Sequence, residues 1–282
     1  MKLKYLLFFL VAVNLTLAQS ETDTIKKPGW YPAGVAGLNL SQVAFSNWSQ
    51  GGDNSLAWTL FSKVNYDYFS PDWIFKNELK LAYGRTKLGS ADYRTNDNEI
   101  YLESVLSHFI GWAVDPYISN TVRSSLSKGF DYKTTGFPQI ADFFDPGYVT
   151  QSIGFTYNKI EGFNTRIGVG FQETFTSKFN NYSDDAKTKD KVEKFKFETG
   201  IESVTEGKYE IEENLLADTK LRLFSRFEDL SVWDVRWDNT ITAQVNKYVN
   251  VNLNVLIVYE VSQSLKTQLK EGLQLGLVYN LF

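Results

Sequence analysis

A single histidine, His108, and no cysteine among 282 residues leave this chain few ways to do chemistry. A Ser/His/acid hydrolase needs its imidazole beside an accessible hydroxyl, with a third group orienting it. Ser104 and Ser107 are close in sequence, but at strand spacing Ser107 points away from the face of His108, which shares parity with Ile100, Leu102 and Leu106. His108 is therefore read as an interface residue, and no residue is expected to be catalytic. The absence of cysteine excludes thiol nucleophiles, thiolate metal sites, disulfides and a lipoprotein anchor. The acidic run from Asp92 to Glu99, and Asp184-Asp185 with Asp190, lack the alternating Asp/Asn spacing around a glycine that specifies calcium. They read as solvated loops, and no metal or cofactor is expected. A net charge of −4, from 29 basic and 33 acidic residues, gives no footprint for nucleic acid.

The remaining reactive groups are charges that recur at alternate positions. They include Lys76, Glu78, Lys80, Glu103, Arg123, Arg166, Glu198, Arg222, Arg236 and Asp238, with Lys63, Asp67, Glu99, Lys196, Glu202, Asp218, Lys220, Asp234 and Lys270. Each sits opposite an apolar or aromatic face. Lys76, Glu78 and Lys80 oppose Trp73, Phe75, Leu79, Leu81 and Tyr83, and Asp234, Arg236 and Asp238 oppose Trp233, Val235 and Trp237. Val249, Val251, Leu253, Val255, Ile257, Tyr259 and Val261 likewise face away from Asn250, Asn252, Asn254 and Glu260, with Leu256 and Val258 as exceptions. Such alternation is the signature of strands.

The elements that carry these charges read as about twelve strands, between 10 and 14, near 35–49, 55–69, 73–86, 97–110, 112–127, 148–159, 163–177, 193–205, 209–227, 232–246, 249–262 and 266–282. They are longer than the usual 5 or 6 residues of a soluble strand and cover the roughly 9 to 11 needed to cross a bilayer at a tilt. Connections alternate between short (70–72, Gly111, 160–162, 206–208, 246–248) and long (87–96, 128–147, 178–192). Lipid cannot satisfy backbone amides, so a spanning sheet must close on itself. The expected fold is an all-β, transmembrane, antiparallel up-and-down β-barrel over 35–282, behind a short periplasmic segment at 19–34.

Ahead of that segment, Lys2 and Lys4, the apolar run Tyr5 to Val13 and the small residues before Gln19 make 1–18 a secretory signal peptide. The expected location is the outer membrane of a Gram-negative cell. Trp48, Trp58, Trp73, Trp112, Trp233, Trp237 and Tyr279 are candidate interface aromatics, since an indole or phenol rests with its polar tip in the headgroup layer. Gly51 and Gly52 are expected to turn a tight outward hairpin, with Trp48 at the end of the first strand. Leu273, Leu275, Leu277, Tyr279 and Leu281 lead to a terminal Phe282, which resembles the assembly signal of outer-membrane barrels but is one step out of phase.

The stretch NLSQVAFSNWSQGGDNSLAW from Asn39, WDNTITAQVNKYVNVNLN from Trp237 and GLVYNLF at the end resemble a family of Bacteroidota outer-membrane proteins, domain of unknown function 3078. The resemblance implies an outer-membrane barrel and brings no activity or site residue. Two functional expectations follow: a narrow or gated pore for small polar solutes, or a non-conducting accessory barrel that binds other envelope proteins. The partners expected in either case are membrane lipid and lipopolysaccharide, and the outer-membrane assembly machinery. Mixed charges on long side chains favour a constricted or closed lumen, because about twelve strands fall between a filled barrel of eight and an open channel of 16 to 18. The apolar segment Phe137 to Pro146 in a long outer loop is either a gate or a contact.

Overall fold

The period-two pattern resolves into long antiparallel strands. A computed structural model describes residues 27–185, 188 and 191–282; the expected signal peptide and Asp190 lie outside them. The strands are β1 (Gly29–Val43), β2 (Ser55–Phe69), β3 (Trp73–Leu88), β4 (Arg94–His108), β5 (Asp115–Ser124), β6 (Gly129–Phe130), β7 (Gln139–Ala141), β8 (Gly147–Ile160), β9 (Phe163–Phe175), β10 (Phe195–Glu212), β11 (Leu215–Arg226), β12 (Asp234–Gln244), β13 (Val249–Tyr259) and β14 (Gln268–Asn280). Twelve of them close a barrel in the order β1-β14-β13-β12-β11-β10-β9-β8-β5-β4-β3-β2. The short strands β6 and β7 pair separately within the β5–β8 connection.

What surrounds this barrel follows from which side chains it hides. Among the described residues the buried apolar side chains are Tyr117, Val204, Phe224 and Val258, whereas Glu103, Asp115, Arg166, Glu202, Asp234 and Glu260 are all buried. The outer wall is apolar and open: Leu60 is 54% exposed, Ile118 53%, Ile167 58% and Leu273 65%. In water each such side chain would forgo roughly 1.5–3 kcal/mol of burial. A polar interior with an apolar exterior is stable when the surroundings are lipid, and closure through β1 and β14 gives every barrel strand two neighbours. Among the described residues no helix is long and apolar enough to cross a membrane; the strands cross it.

Close approach at the inner wall is made possible by glycine. A Cβ at Gly154 would lie 2.1 Å from the Ile167 carbonyl oxygen, and one at Gly170 would meet the Phe224 ring at 3.1 Å. Phe224, fully buried, thereby lies flat over β9 and β10, and the rings of Tyr117 and Phe224 narrow the lumen on that side.

Several expected boundaries are corrected. The first strand begins at Gly29 rather than Val35 and ends at Val43 rather than residue 49. Its partner β2 runs the whole way along it, from Gly29 opposite Phe69 to Val43 opposite Ser55. The stretch after it is an open loop, 44–54, instead of a tight hairpin. Asn47, Gly51 and Gly52 all have positive φ, and the loop is fastened by Phe45 N–H donating to Asn54 Oδ1 at 2.6 Å. Glu206-Gly207-Lys208 is not a turn but the middle of β10. The reversal comes at 213–214, where Asn214 supplies the positive φ of 68°. The 87–96 loop shrinks to 89–93, because Arg85 and Thr86 pair with Thr95 and Arg94 past a bulge. The end where β1 begins and β14 finishes carries the short connections (70–72, 109–114, 161–162, 213–214, 245–248), and the opposite end carries 44–54, 89–93, 125–146, 176–194, 227–233 and 260–267.

Candidate functional site

The inward positions of facing strands bring the charges together in the lumen. In the half of the barrel toward the short connections, Glu103 on β4 is the hub. It accepts from Arg166 on β9 and, at 2.5 Å, from Lys220 on β11. Lys220 also reaches Glu206 on β10 at 2.7 Å. Alongside, Glu78 on β3 pairs with Lys63 on β2 and Lys80 on its own strand, each at 3.1 Å, and Lys63 extends to Asp218 on β11 at 3.4 Å. The Tyr101 ring lies between the ammonium groups of Lys80 and Lys220, 5.4 and 5.1 Å from its centroid.

A second set lies toward the long-loop end. Arg236 on β12 bridges Glu99 on β4 at 2.8 Å and Asp238 at 3.0 Å. Arg123 on β5 meets Glu260, just past β13, at 2.7 Å. Arg222 donates to Glu202 at 2.8 Å and Gln172 at 3.1 Å, and Arg226 joins Glu198 to Asp234. Lys270 on β14 reaches Asp97 at 3.0 Å.

Ring order shows what these contacts span. From β12 to β4 is six strands in either direction, through β11-β10-β9-β8-β5 or through β13-β14-β1-β2-β3, and β5 and β13 are likewise opposite. The Arg236–Glu99 and Arg123–Glu260 pairs therefore cross the full width of the lumen. Lys63–Asp218 and Lys220–Glu103 cross it almost as far. Water still reaches the outer members: the side chains of Asp218 and Asp238 are 46% and 41% exposed, while that of Arg166 is 3%. Charged bridges therefore cross the lumen between its more exposed outer side chains.

Of the residues singled out from the sequence, Glu78, Lys80, Glu103 and Arg166 join the first set, and Arg123, Glu198, Arg222, Arg236 and Asp238 the second. Lys76 has no ion-pair partner among the described residues. Glu206, Arg226, Asp97 and Tyr101 belong to the network but were not among the inward charges expected. Glu206 falls in an expected turn, whereas Asp97, Tyr101 and Arg226 lie within the expected strands 97–110 and 209–227 at the parity of Glu99, Glu103 and Arg222, so alternation alone could have found them. In the acidic run from Asp92 to Glu99, read from sequence as a solvated loop, Asp97 and Glu99 are ion-paired strand residues, and Glu99 is among the inward charges expected.

The aromatics fall in several settings. Trp73 stacks on His108 at 4.0 Å between ring centroids, and His108 Nδ1 lies 2.8 Å from the Asp72 carbonyl oxygen on the outer face, away from Ser107. Trp30, within the segment first read as preceding the barrel, stacks on Tyr66 at 4.6 Å and packs against Tyr68 at 5.1 Å. Trp58 meets Tyr83 edge-on, Trp237 Nε1 donates to Thr219 Oγ1 at 2.9 Å, and Trp233 directly precedes β12. Tyr279 is exposed near the end of β14, and Trp112 protrudes from the 109–114 turn. Trp48 is corrected: it stands in the middle of the 44–54 loop, stacked on Phe45, not at a strand end. Phe282 lies beside Gly34 on β1, next to the seam where Leu281 N–H donates to the Gly34 carbonyl.

Above the barrel, Asp145 accepts from Ser177 and Lys178 backbone N–H groups at 3.0 and 2.7 Å, tying the 125–146 loop to the 176–194 loop. Arg94 is held against the rings of Tyr132 and Phe137, at 5.3 and 4.8 Å. Ile140, Phe143 and Phe144 remain exposed. Outside the spanning strands, the Thr134 hydroxyl bonded to Asp131 holds that carboxyl below the usual carboxylate range.

Residues 40–130, less than half of the chain, match the sequence model of a family described as "Protein of unknown function (DUF3078)". No curated protein matches the chain. Among solved structures it is similar to an outer-membrane channel from Pseudomonas putida F1, at 12% identity and a TM-score of 0.41 over 93% of this chain and 98% of that one. It is also similar to the translocator domain of the autotransporter NalP from Neisseria meningitidis, at 9% identity and a TM-score of 0.36 over 98% and 96%.

Proposed function

We propose that this protein is a gated channel for small polar solutes in the outer membrane of a Bacteroidota cell, closed at rest by its own lumen side chains. The observation that carries the reading is that, among the described residues, the lumen is bridged by ion pairs between opposite walls. Long Lys and Arg side chains can change partner along a wall without moving the backbone, and many alternative carboxylates are within reach. Residues of both signs line the path, which suits polar or zwitterionic solutes better than a strongly charged ion of either sign. Export by the signal peptide, insertion by the assembly machinery and contact with lipid and lipopolysaccharide complete this reading.

Planar-bilayer recording of the folded wild-type protein tests it. Brief, small conductance steps from a mostly closed baseline are expected; a flat trace across the voltage range counts against a channel. The exposed Ile140, Phe143 and Phe144 favour a second reading, an accessory barrel that binds another envelope protein through its outer loop. Mild-detergent purification with mass spectrometry would then return a stoichiometric partner. We assign no catalytic role to His108, so His108→Ala should leave any lipase or protease activity of the preparation unchanged.

A further inference from the structure

The outward face of β3, β4, β5 and β8 carries a row of polar side chains across its apolar wall. Strand register places Asn77 opposite Ser104, Ser104 opposite Asn120, and Asn120 opposite Gln151, a continuous polar row across four adjacent strands. The rows on either side are apolar: Phe75, Leu106, Ile118 and Ile153 below, Leu79, Leu102, Val122 and Val149 above. Lipid offers no hydrogen bonds to such groups, so an amide with a free donor or acceptor in this layer is costly.

Part of the row is satisfied internally. Ser104 Oγ donates to Asn77 Oδ1 at 2.8 Å, and Asn77 Nδ2 donates to the Tyr66 carbonyl at 2.8 Å. The other part is not. Gln151 Nε2 reaches Asn120 Oδ1 only at 3.5 Å, and among the described residues Asn120 Nδ2 and Gln151 Oε1 have no partner. On the β11–β13 wall the polar groups are closed locally, as Trp237, Thr219 and Asn239 bond with one another and with the Val255 carbonyl.

We propose that this face is a membrane-embedded contact with a second copy of this chain. The open groups are one donor and one acceptor, without formal charge, on neighbouring strands. That set is complementary to itself across a two-fold axis along the bilayer normal: Asn120 Nδ2 of each copy donates to Gln151 Oε1 of the other. The flanking Leu102, Ile118 and Ile153, at 38%, 53% and 55% exposure, supply the apolar border of such a contact. A charged partner would find nothing here to pair with.

The chain contains no cysteine, so single-cysteine variants report on this directly. Asn120→Cys in reconstituted membranes, treated with a short bismaleimide that spans the diagonal between the two copies, should give a cross-linked homodimer several-fold above Leu253→Cys, which lies outward on β13 across the barrel. Asn120→Leu with Gln151→Leu, changes that only improve contact with lipid, should lower the dimer fraction in native mass spectrometry by about threefold or more, while the barrel keeps its heat-modifiable gel shift. Equal cross-linking at both positions, a monomer throughout, or cross-linking of Asn120→Cys in native membranes to a different protein would each overturn the proposal. Should the double variant fail to fold, the two cysteine variants still decide it.

Discussion

Glu103 holds two cations, Arg166 and Lys220, and it shows how the lumen charges stabilise as well as obstruct. With Arg166 and Glu103 both nearly inaccessible, removing one partner strands the other in a low-dielectric site. Such losses cost about 3–5 kcal/mol. Glu103→Gln should therefore lower the unfolding free energy in urea by about that much, and Glu206→Gln, whose side chain is 32% exposed, by distinctly less. At the inner wall the limiting atoms are backbone. Gly154→Ala places a methyl 2.1 Å from a carbonyl oxygen and 2.5 Å from Gly168 Cα, neither of which can rotate away. A destabilisation of about 1–3 kcal/mol is expected in the same assay. At this scale parity made nearly all the inward charges readable from sequence. It could not say which would meet, because the partners lie on strands distant in sequence: 137 residues separate Arg123 from Glu260 and 117 separate Lys220 from Glu103.

Among the elements, the β10–β11 hairpin departs most from what its sequence suggested. Gly207 looked like a turn, yet it pairs with both Phe163 and Thr219 in mid-strand, on the outer face. The turn is made instead by Glu213-Asn214, where asparagine tolerates the left-handed region. Asn214→Gly should keep the urea midpoint, whereas Asn214→Val, with a β-branched side chain at φ 68°, should cost about 1–2 kcal/mol. The strands β2, β3, β9 and β13 were legible because their alternation runs most of the length of each strand, with only isolated exceptions such as Asn77, Leu256 and Val258. The start of β1 was hidden by Pro32 and by three small residues, Ala33, Gly34 and Ala36, which carry no hydrophobic period. Proline is accommodated there because β14 covers β1 only from Val35 onward, leaving the first residues with one neighbour.

For the whole molecule, closure of twelve strands fixes the width and the charges fix what the width admits. The barrel class was legible from long alternating strands, alternating connection lengths and a lack of spanning helices. Mixed charges on about twelve strands favoured a constricted or closed lumen, but the bridging pairs were not legible, since they depend on which strands face each other across the ring. The central claim is that ion pairs between opposite walls hold the lumen shut. Single-channel recording of a charge-neutral variant, Lys63→Ser and Asp218→Ser with Arg236→Ser and Glu99→Ser, tests it most directly against wild type. Removing two cross-lumen pairs should convert brief, small openings into long, larger ones with little change in ion selectivity. An open time and step size equal to those of wild type, in a variant that remains folded, would contradict the account.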